Sequence, residues 1–248
     1  MISIITGTLN RKSYLPDLIK NTVDRCEKLE LVLVDGGSTD GTIEFLEEIK
    51  HPRIKLLKFG KRSNYPHFMN LAIMNCTYEW ICQWNDDVLL TNEWQEVIDE
   101  LNSGHDFYLF NWKYGSSKED IYNPEWIDGI ENHKGWFICN TKEDKGDDGE
   151  IVVNFGLYNK KIFEQIGMYD MKFKYYYTDG DMAERAWRFG FKHKDLKHIK
   201  VFSYVIEKKA IHFSDDEQKY RSNIQSYKQK IIPKTIPFLK DNKAVFYE

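Results

Sequence analysis

The sequence predicts an α/β protein: one domain with a mostly parallel central sheet flanked by helices. Three observations lead there. Residues 31–42, LVLVDGGSTDGT, form an apolar run that breaks into a Gly-rich acidic turn, the pattern of a buried parallel strand followed by a helix start. A β-branched run at residues 2–6 precedes it, and Leu15, Leu18, Ile19 and Val23 fall at helical spacing between the two. Such a strand–helix–strand unit favours a right-handed crossover and a parallel sheet. Finally, 248 residues suffice to bury one substantial core.

The elements follow in order. A helix is expected over residues 14–25, and a second over 43–49, with Pro52 just past its end. Residues 54–57 read as the third strand, 68–75 as a helix, and 80–84 as a fourth strand ending at Asn85-Asp86-Asp87. Residues 93–101 return as a helix. After Asn102 the character changes: aromatics become dense from Phe107 to Phe137, and turn signals break the periodicity. Residues 142–150, KEDKGDDGE, read as a polar loop that would order over a bound ligand. A strand is expected over 151–158, helices over 160–166 and 181–189 with Gly190 as a stop, and strands over 201–205 and 209–213. Residues 214–248 read as a polar, lysine-rich helical tail that docks back through Tyr220, Ile224 and Tyr227. Its alternative role is weak peripheral contact with an anionic membrane surface.

Bulk properties exclude several classes. A net charge of −4 gives no basis for a nucleic-acid partner. Cys26, Cys76, Cys82 and Cys139 have neither CxxC nor metal-finger spacing, so reduced thiols are expected. The start, MISIITGTLN, lacks the basic region and long apolar core of a signal peptide, and no apolar run approaches the ~20 residues of a membrane span. A cytoplasmic protein, at most peripheral to a membrane, is the expectation.

In an open α/β sheet, ligands bind beyond the carboxyl ends of the strands. Asp35 would present a carboxylate there, and Gly36 and Gly37 would let backbone approach a ligand closely. Three further segments join this one in order: SIITGTLNR at the first strand, WNDDVLL at the fourth, and NFGLYNKKIFEQIGMYDMKFKYYYTDGDMAERAWRFGFK at residues 154–192. Together they resemble the inverting nucleotide-sugar glycosyltransferases of family 2, which have the GT-A fold. The resemblance implies a domain over residues 1–213, with 1–101 binding the nucleotide sugar and 102–213 the acceptor.

It also implies roles. Asp35 would accept a hydrogen bond from a nucleobase N–H, with Thr8, Asn10, Arg11 and Gly37 lining the same pocket. Arg62 and Asn64, next to Lys61, fall where the family often places a basic residue near the nucleotide; a solvated basic loop explains them equally well. WNDDVLL stands in the place of the family's DxD motif, which holds a divalent cation (Mn²⁺ or Mg²⁺) through carboxylate oxygens. Asp87 would be the principal ligand and Asp86 its support, with Asn85 on a ribose hydroxyl; the register is open by one residue. His212 falls where related enzymes often have a metal-ligating His, although a lone His is more often structural. Asp179 matches the second member of the family's acidic pair, with Thr178 where Glu usually stands, and would be the catalytic base. A helix N-terminus would keep it ionised, while its rival reading is a helix N-cap. Asp181, Trp112 and Trp136 are the acceptor-side candidates; most of these aromatics are expected in the core. Arg185, four residues after Asp181, would pair with it on the helix face.

The implied reaction moves a sugar from a nucleotide-diphosphate donor, a UDP-sugar by preference, to a hydroxyl of a glycan or lipid-linked acceptor. A sugar nucleotidyltransferase is a poorer fit, since TGTLNRKSYL lacks its Gly-rich basic loop. A non-catalytic binder of nucleotide sugars or glycans stays open through Thr178 and Asn85.

Overall fold

The computed structural model describes residues 1–114, 119, 155–204 and 214–247. Strands β1 (Ile2–Thr8), β2 (Leu29–Asp35), β3 (Ile54–Lys58) and β4 (Trp80–Gln83) form where the apolar runs predict them. They are linked through α1 (Leu15–Asn21), α2 (Thr42–Ile49) and α3 (Tyr65–Met74). Their pairings are all parallel, in the order β3-β2-β1-β4. β2 shows why so apolar a run is needed. Leu29, Leu31 and Leu33 join the core on one face of the sheet, with Ile2, Ile4, Leu15 and Leu18. Val32 and Val34 join the core on the other, with Ile5, Met69, Ala72 and Ile73. A strand buried on both faces cannot alternate polar with apolar.

The sheet continues through β5 (Val88–Leu90), β6 (Phe107–Tyr114), β7 (Gly156–Asn159) and β8 (His193–Ser203) in the order β4-β7-β6-β8-β5. Here β7 is antiparallel to both β4 and β6, β8 is parallel to β6, and β5 is antiparallel to β8. The helices are α4 (Trp94–Glu100), α5 (Lys160–Gln165), α6 (Thr178–Arg188) and α7 (Ser214–Lys228), followed by a separate hairpin of β9 (Phe238–Lys240) and β10 (Lys243–Val245).

Several boundaries differ from expectation for local reasons. Helix α1 stops at Asn21, because Thr22 leaves the helical region and its hydroxyl donates to the Leu18 carbonyl at 2.6 Å. Helix α3 begins at Tyr65, three residues early, with Pro66 preset for its first turn. The aromatic run opens with an unforeseen strand: Phe107 and Leu109 enter one core and Tyr108 and Phe110 the other. Helix α6 starts at Thr178 rather than at 181, placing Asp179 inside its first turn. The tail is helical only to Lys228, beyond which Pro233 and Pro237 lead into the hairpin. Tyr220 and Tyr227 are buried, as docking requires, while Ile224 is only half-buried.

Residues 142–150, the expected strand 209–213, Cys139, Trp136 and His212 lie outside the described residues, and Trp112 is described only as part of the β6 backbone. Cys26, Cys76 and Cys82 are free thiols. Burial pushes Cys76 up to about 12, so it stays protonated and inert. Among the described residues, no helix is long and apolar enough to cross a membrane.

Candidate active site

β1 and β4 are parallel neighbours, so the segments leaving their carboxyl ends emerge side by side. Thr8 closes β1, and its hydroxyl donates to Asp86 Oδ2 at 2.8 Å. Between these segments opens a cavity of about 750 Å³. It brings together Thr8, Asn10, Arg11, Arg62, Asn85, Asp86 and Asp87, seven of the residues singled out from sequence. Phe68 forms part of its wall, resting on Gly7 and Gly36; a Cβ at Gly36 would lie 3.1 Å from the Phe68 ring.

Asp86 is 8 % exposed, and burial, reinforced by the neighbouring Asp87, pushes its carboxyl up to about 7 against the pull of Arg11 and Thr8. Burial would lower Arg11, yet Asp86 and Asp87 outweigh it and raise the guanidinium, which remains charged while packing over Tyr14 at 4.9 Å. Arg11 therefore feels two adjacent carboxylates at the cavity. Among the described residues no three His, Cys, Asp or Glu side chains cluster as a complete metal site. Asp86 and Asp87 do offer hard oxygens at the cavity, the donor type that Mn²⁺ or Mg²⁺ takes when a diphosphate supplies the rest. The residues fit such an ion.

The turn after β2 departs from expectation. Asp35 is fully buried, and its carboxylate accepts from the Gly37 amide at 2.7 Å and the Ser38 amide at 3.0 Å. At the tip of β2 its carboxylate thus closes its own turn, and it is not among the residues lining the cavity. Gly37, at φ +89°, holds that turn so close to Gly60 that a Cβ would lie 2.9 Å from the Gly60 carbonyl carbon. Asn10 ties the turn to β1: its side chain accepts from the Thr39 amide at 2.8 Å and its own amide donates to Ser38 Oγ at 2.9 Å. Asn64 is the N-cap of α3, between the cavity residues Ser63 and Tyr65 but not itself in the wall.

Asp179 is half-buried in the first turn of α6. Burial pushes it up to about 6, although the Gly180 amide donates to it at 3.0 Å. Desolvation thus prevails over the helix N-terminus expected to hold it ionised, and the result suits a base working near neutrality. Its charge reaches the cavity wall: burial, then Asp179, raises the Tyr65 phenol. Burial, then Tyr65, Tyr158 and Asp179, raise the Tyr169 phenol, which donates to Gln83 Oε1 at 2.5 Å, at the end of β4.

Asp181 belongs to a different environment. It is 1 % exposed, and its carboxylate accepts from Asn223 Nδ2 at 2.7 Å and from the Tyr227 hydroxyl at 2.9 Å. Those partners belong to α7, so Asp181 joins two helices rather than facing an acceptor. Burial pushes it up to about 6, while Arg185 opposes and Asp170 adds to the rise. The expected pair with Arg185 forms at 3.8 Å, and Arg185 also donates to the Met168 carbonyl at 2.5 Å.

Tyr14, Ser63, Tyr65, Phe68 and Tyr175 also line the wall and had no distinguishing pattern in the sequence. The signal available was positional: each lies within a few residues of a motif or of a helix start.

Solved structures of the same fold include the mannosyltransferase PcManGT from Pyrobaculum calidifontis in complex with GDP-Man and Mn²⁺. The similarity has a TM-score of 0.63 at 16% identity, over 94% of this chain and 66% of that one. S. aureus TarS 1–349, in complex with UDP-GlcNAc, gives 0.64 at 16% identity, over 91% and 66%. This chain therefore spans just under two-thirds of the length of those proteins. An uncharacterized glycosyltransferase of Haemophilus influenzae is 25% identical over 101 residues, 40% of this chain and 31% of that protein. The Glycosyl transferase family 2 sequence model matches residues 3–167, which takes in β1, the turn after β2 and the Asn85-Asp86-Asp87 segment. On that match, and with the sheet and cavity arranged as described, the chain belongs to glycosyl transferase family 2.

Proposed function

We propose that this protein transfers a sugar, with inversion, from a nucleotide-diphosphate donor to a hydroxyl of a glycan or other acceptor. The observation that carries the reading is the cavity at the ends of β1 and β4, where two arginines and two adjacent acids meet. Its volume of about 750 Å³ falls within the ~300–1,000 Å³ usual for small-molecule sites. The fold relatives were solved with GDP-Man and with UDP-GlcNAc, which supports a nucleotide sugar without choosing the base. A UDP-sugar is the donor we favour.

Arg11 and Arg62 face the donor's phosphates, and Asn85 is available for a ribose hydroxyl. Asp86 and Asp87 would hold a divalent cation, which supplies Lewis-acid stabilisation of the departing diphosphate when bound. Asp179, ionised above pH about 6, removes the proton from the acceptor hydroxyl. The acceptor oxygen then bonds to the anomeric carbon as the bond to the diphosphate breaks on the opposite face, giving inversion. Tyr65 and Phe68 exclude water from one side of this centre.

The test is binding and turnover of UDP-, dTDP- and GDP-sugars, with Mn²⁺ or with chelator, for the wild type and Asp179→Asn. Metal-dependent turnover of one donor, lost in the variant while binding persists, is the expected result. No binding of any donor refutes the reading. Binding without turnover or transfer to any acceptor would favour a non-catalytic binder.

A further inference from the structure

The C-terminal helix α7 touches the reacting turn along one stripe, through Asp216, Tyr220, Asn223 and Tyr227. Their spacing of four, three and four residues puts them on a single helix face. Asp216 accepts from three successive backbone amides, Lys174 and Tyr176 at 3.2 Å and Tyr175 at 3.0 Å. One turn on, Tyr220 stacks on Tyr177, with ring centroids 5.3 Å apart. Asn223 and Tyr227 then take the Asp181 carboxylate. The segment so held is 174–181, which has Tyr175 in the cavity wall near one end and Asp179 near the other.

That segment needs holding. Tyr177 sits at φ +64°, a left-handed conformation costly for an aromatic residue and maintained only where surroundings impose it. Tyr175 is 47 % exposed and has little burial of its own to fix it. The Lys174 carbonyl accepts from the Tyr65 amide at 2.9 Å, so the same turn also meets the start of α3. The backbone between Lys174 and Tyr176 is therefore fixed at one end by Tyr65 and along its amides by Asp216.

We propose that α7 acts as a splint for the reacting turn, with Asp216 the positioning residue that sets Tyr175 and Asp179 against the donor. The proposal rests on the transferase reading above. Asp216 touches neither donor nor acceptor; it acts through the three amides it binds. The Asp216 carboxylate lies well within its ionised range, since the Tyr175 amide, Lys219 and the Tyr176 amide together outweigh a partial burial that would raise it. It therefore stays charged across the working pH.

The experiment compares wild type with Asp216→Ala and with the milder Asp216→Asn, in the full chain. It measures melting temperature, UDP and GDP binding by calorimetry, and the pH profile of donor turnover with Mn²⁺. A turn displaced by an ångström is expected to lower kcat about 10- to 100-fold. Nucleotide affinity should fall less than kcat, because Arg11, Asp86 and Asp87 leave β1 and β4 and Tyr175 alone of the cavity wall lies in the displaced turn. Freed from its splint, Asp179 gains water, and the acid limb of kcat moves from about 6 toward the ordinary value of 3.8. A merely structural contact would move the melting temperature alone. Asp216→Asn keeps an amide oxygen as acceptor and should fold even if Asp216→Ala does not, with an intermediate loss of kcat. Folded variants with wild-type kcat and an unmoved limb overturn the splint while leaving the transferase reading intact. A wild type that neither binds nor turns over any donor overturns both.

Discussion

The first hundred residues and the stretch from 155 onward are held together in different ways. In the first, four parallel strands send apolar side chains into a core on each face of the sheet, and the segments at their ends contribute most of the cavity. In the second, the position of Asp179 depends on polar contacts that cross from α6 to α7. Asp170, Asp181 and Asn223 are all at most 1 % exposed and are linked by hydrogen bonds of 2.7–2.9 Å. Apolar burial tolerates imprecision; a buried polar network does not, because each lost partner leaves a desolvated group behind. The half proposed to bind the donor is thus built on cores, and the half that carries the proposed base adds to its core a buried polar network.

Substitutions can break that contrast. The largest effect is expected at the proposed base itself: Asp179→Asn should lower turnover by about 10²–10⁴ with donor binding kept, as read by steady-state kinetics and calorimetry. Next comes Leu33→Ala in the fully buried centre of β2, expected to cost about 2–5 kcal/mol in denaturant melts. Molecules that remain folded should show near-normal kcat. Asn223→Ala should cost less stability, about 1–3 kcal/mol, yet lower kcat as well, because Asp170 and Asp181 lose their shared partner. Equal kcat in the Leu33 and Asn223 variants would erase the distinction.

The pH dependence sharpens it further. With Asp179 raised to about 6, turnover should fall about tenfold per unit below that point, and Asp179→Asn should lack this limb. The groups facing Asp179 are the Tyr65, Tyr158 and Tyr169 phenols, all raised and neutral in this range. Stability carries the opposite sign. Asp179 and Asp181 are both raised to about 6 in the fold, so it binds more protons than the unfolded chain between pH about 4 and 6. Their contribution is fullest below the unfolded value and is lost as pH rises through about 6. Glu30 behaves conversely. Burial would raise it, but hydrogen bonds from Ser3 and Thr77 lower it, so its contribution is lost on acidification. The smallest effect is expected at Arg62→Ala, about a tenfold loss in donor affinity if it meets phosphate and none if its loop is merely solvated.

The sequence by itself determined the four strands of the parallel half of the sheet and the helices between them. Period-two burial on both faces of β2, and turn residues after each strand, are local signals that neighbouring residues carry. It also determined which acids stand at the strand ends, since Asn85-Asp86-Asp87 directly follows an apolar strand. Tertiary structure alone decided what those acids do. Asp35 and Asp181 have the same chemistry as Asp86 and Asp179, yet one closes its own turn and the other clasps α7. Nor could sequence show that β6 lies inside the aromatic run, or that Asp216 would cap a turn 40 residues earlier. A carboxylate's role is set by which donors surround it and how little water reaches it, and both are supplied by residues distant in the chain.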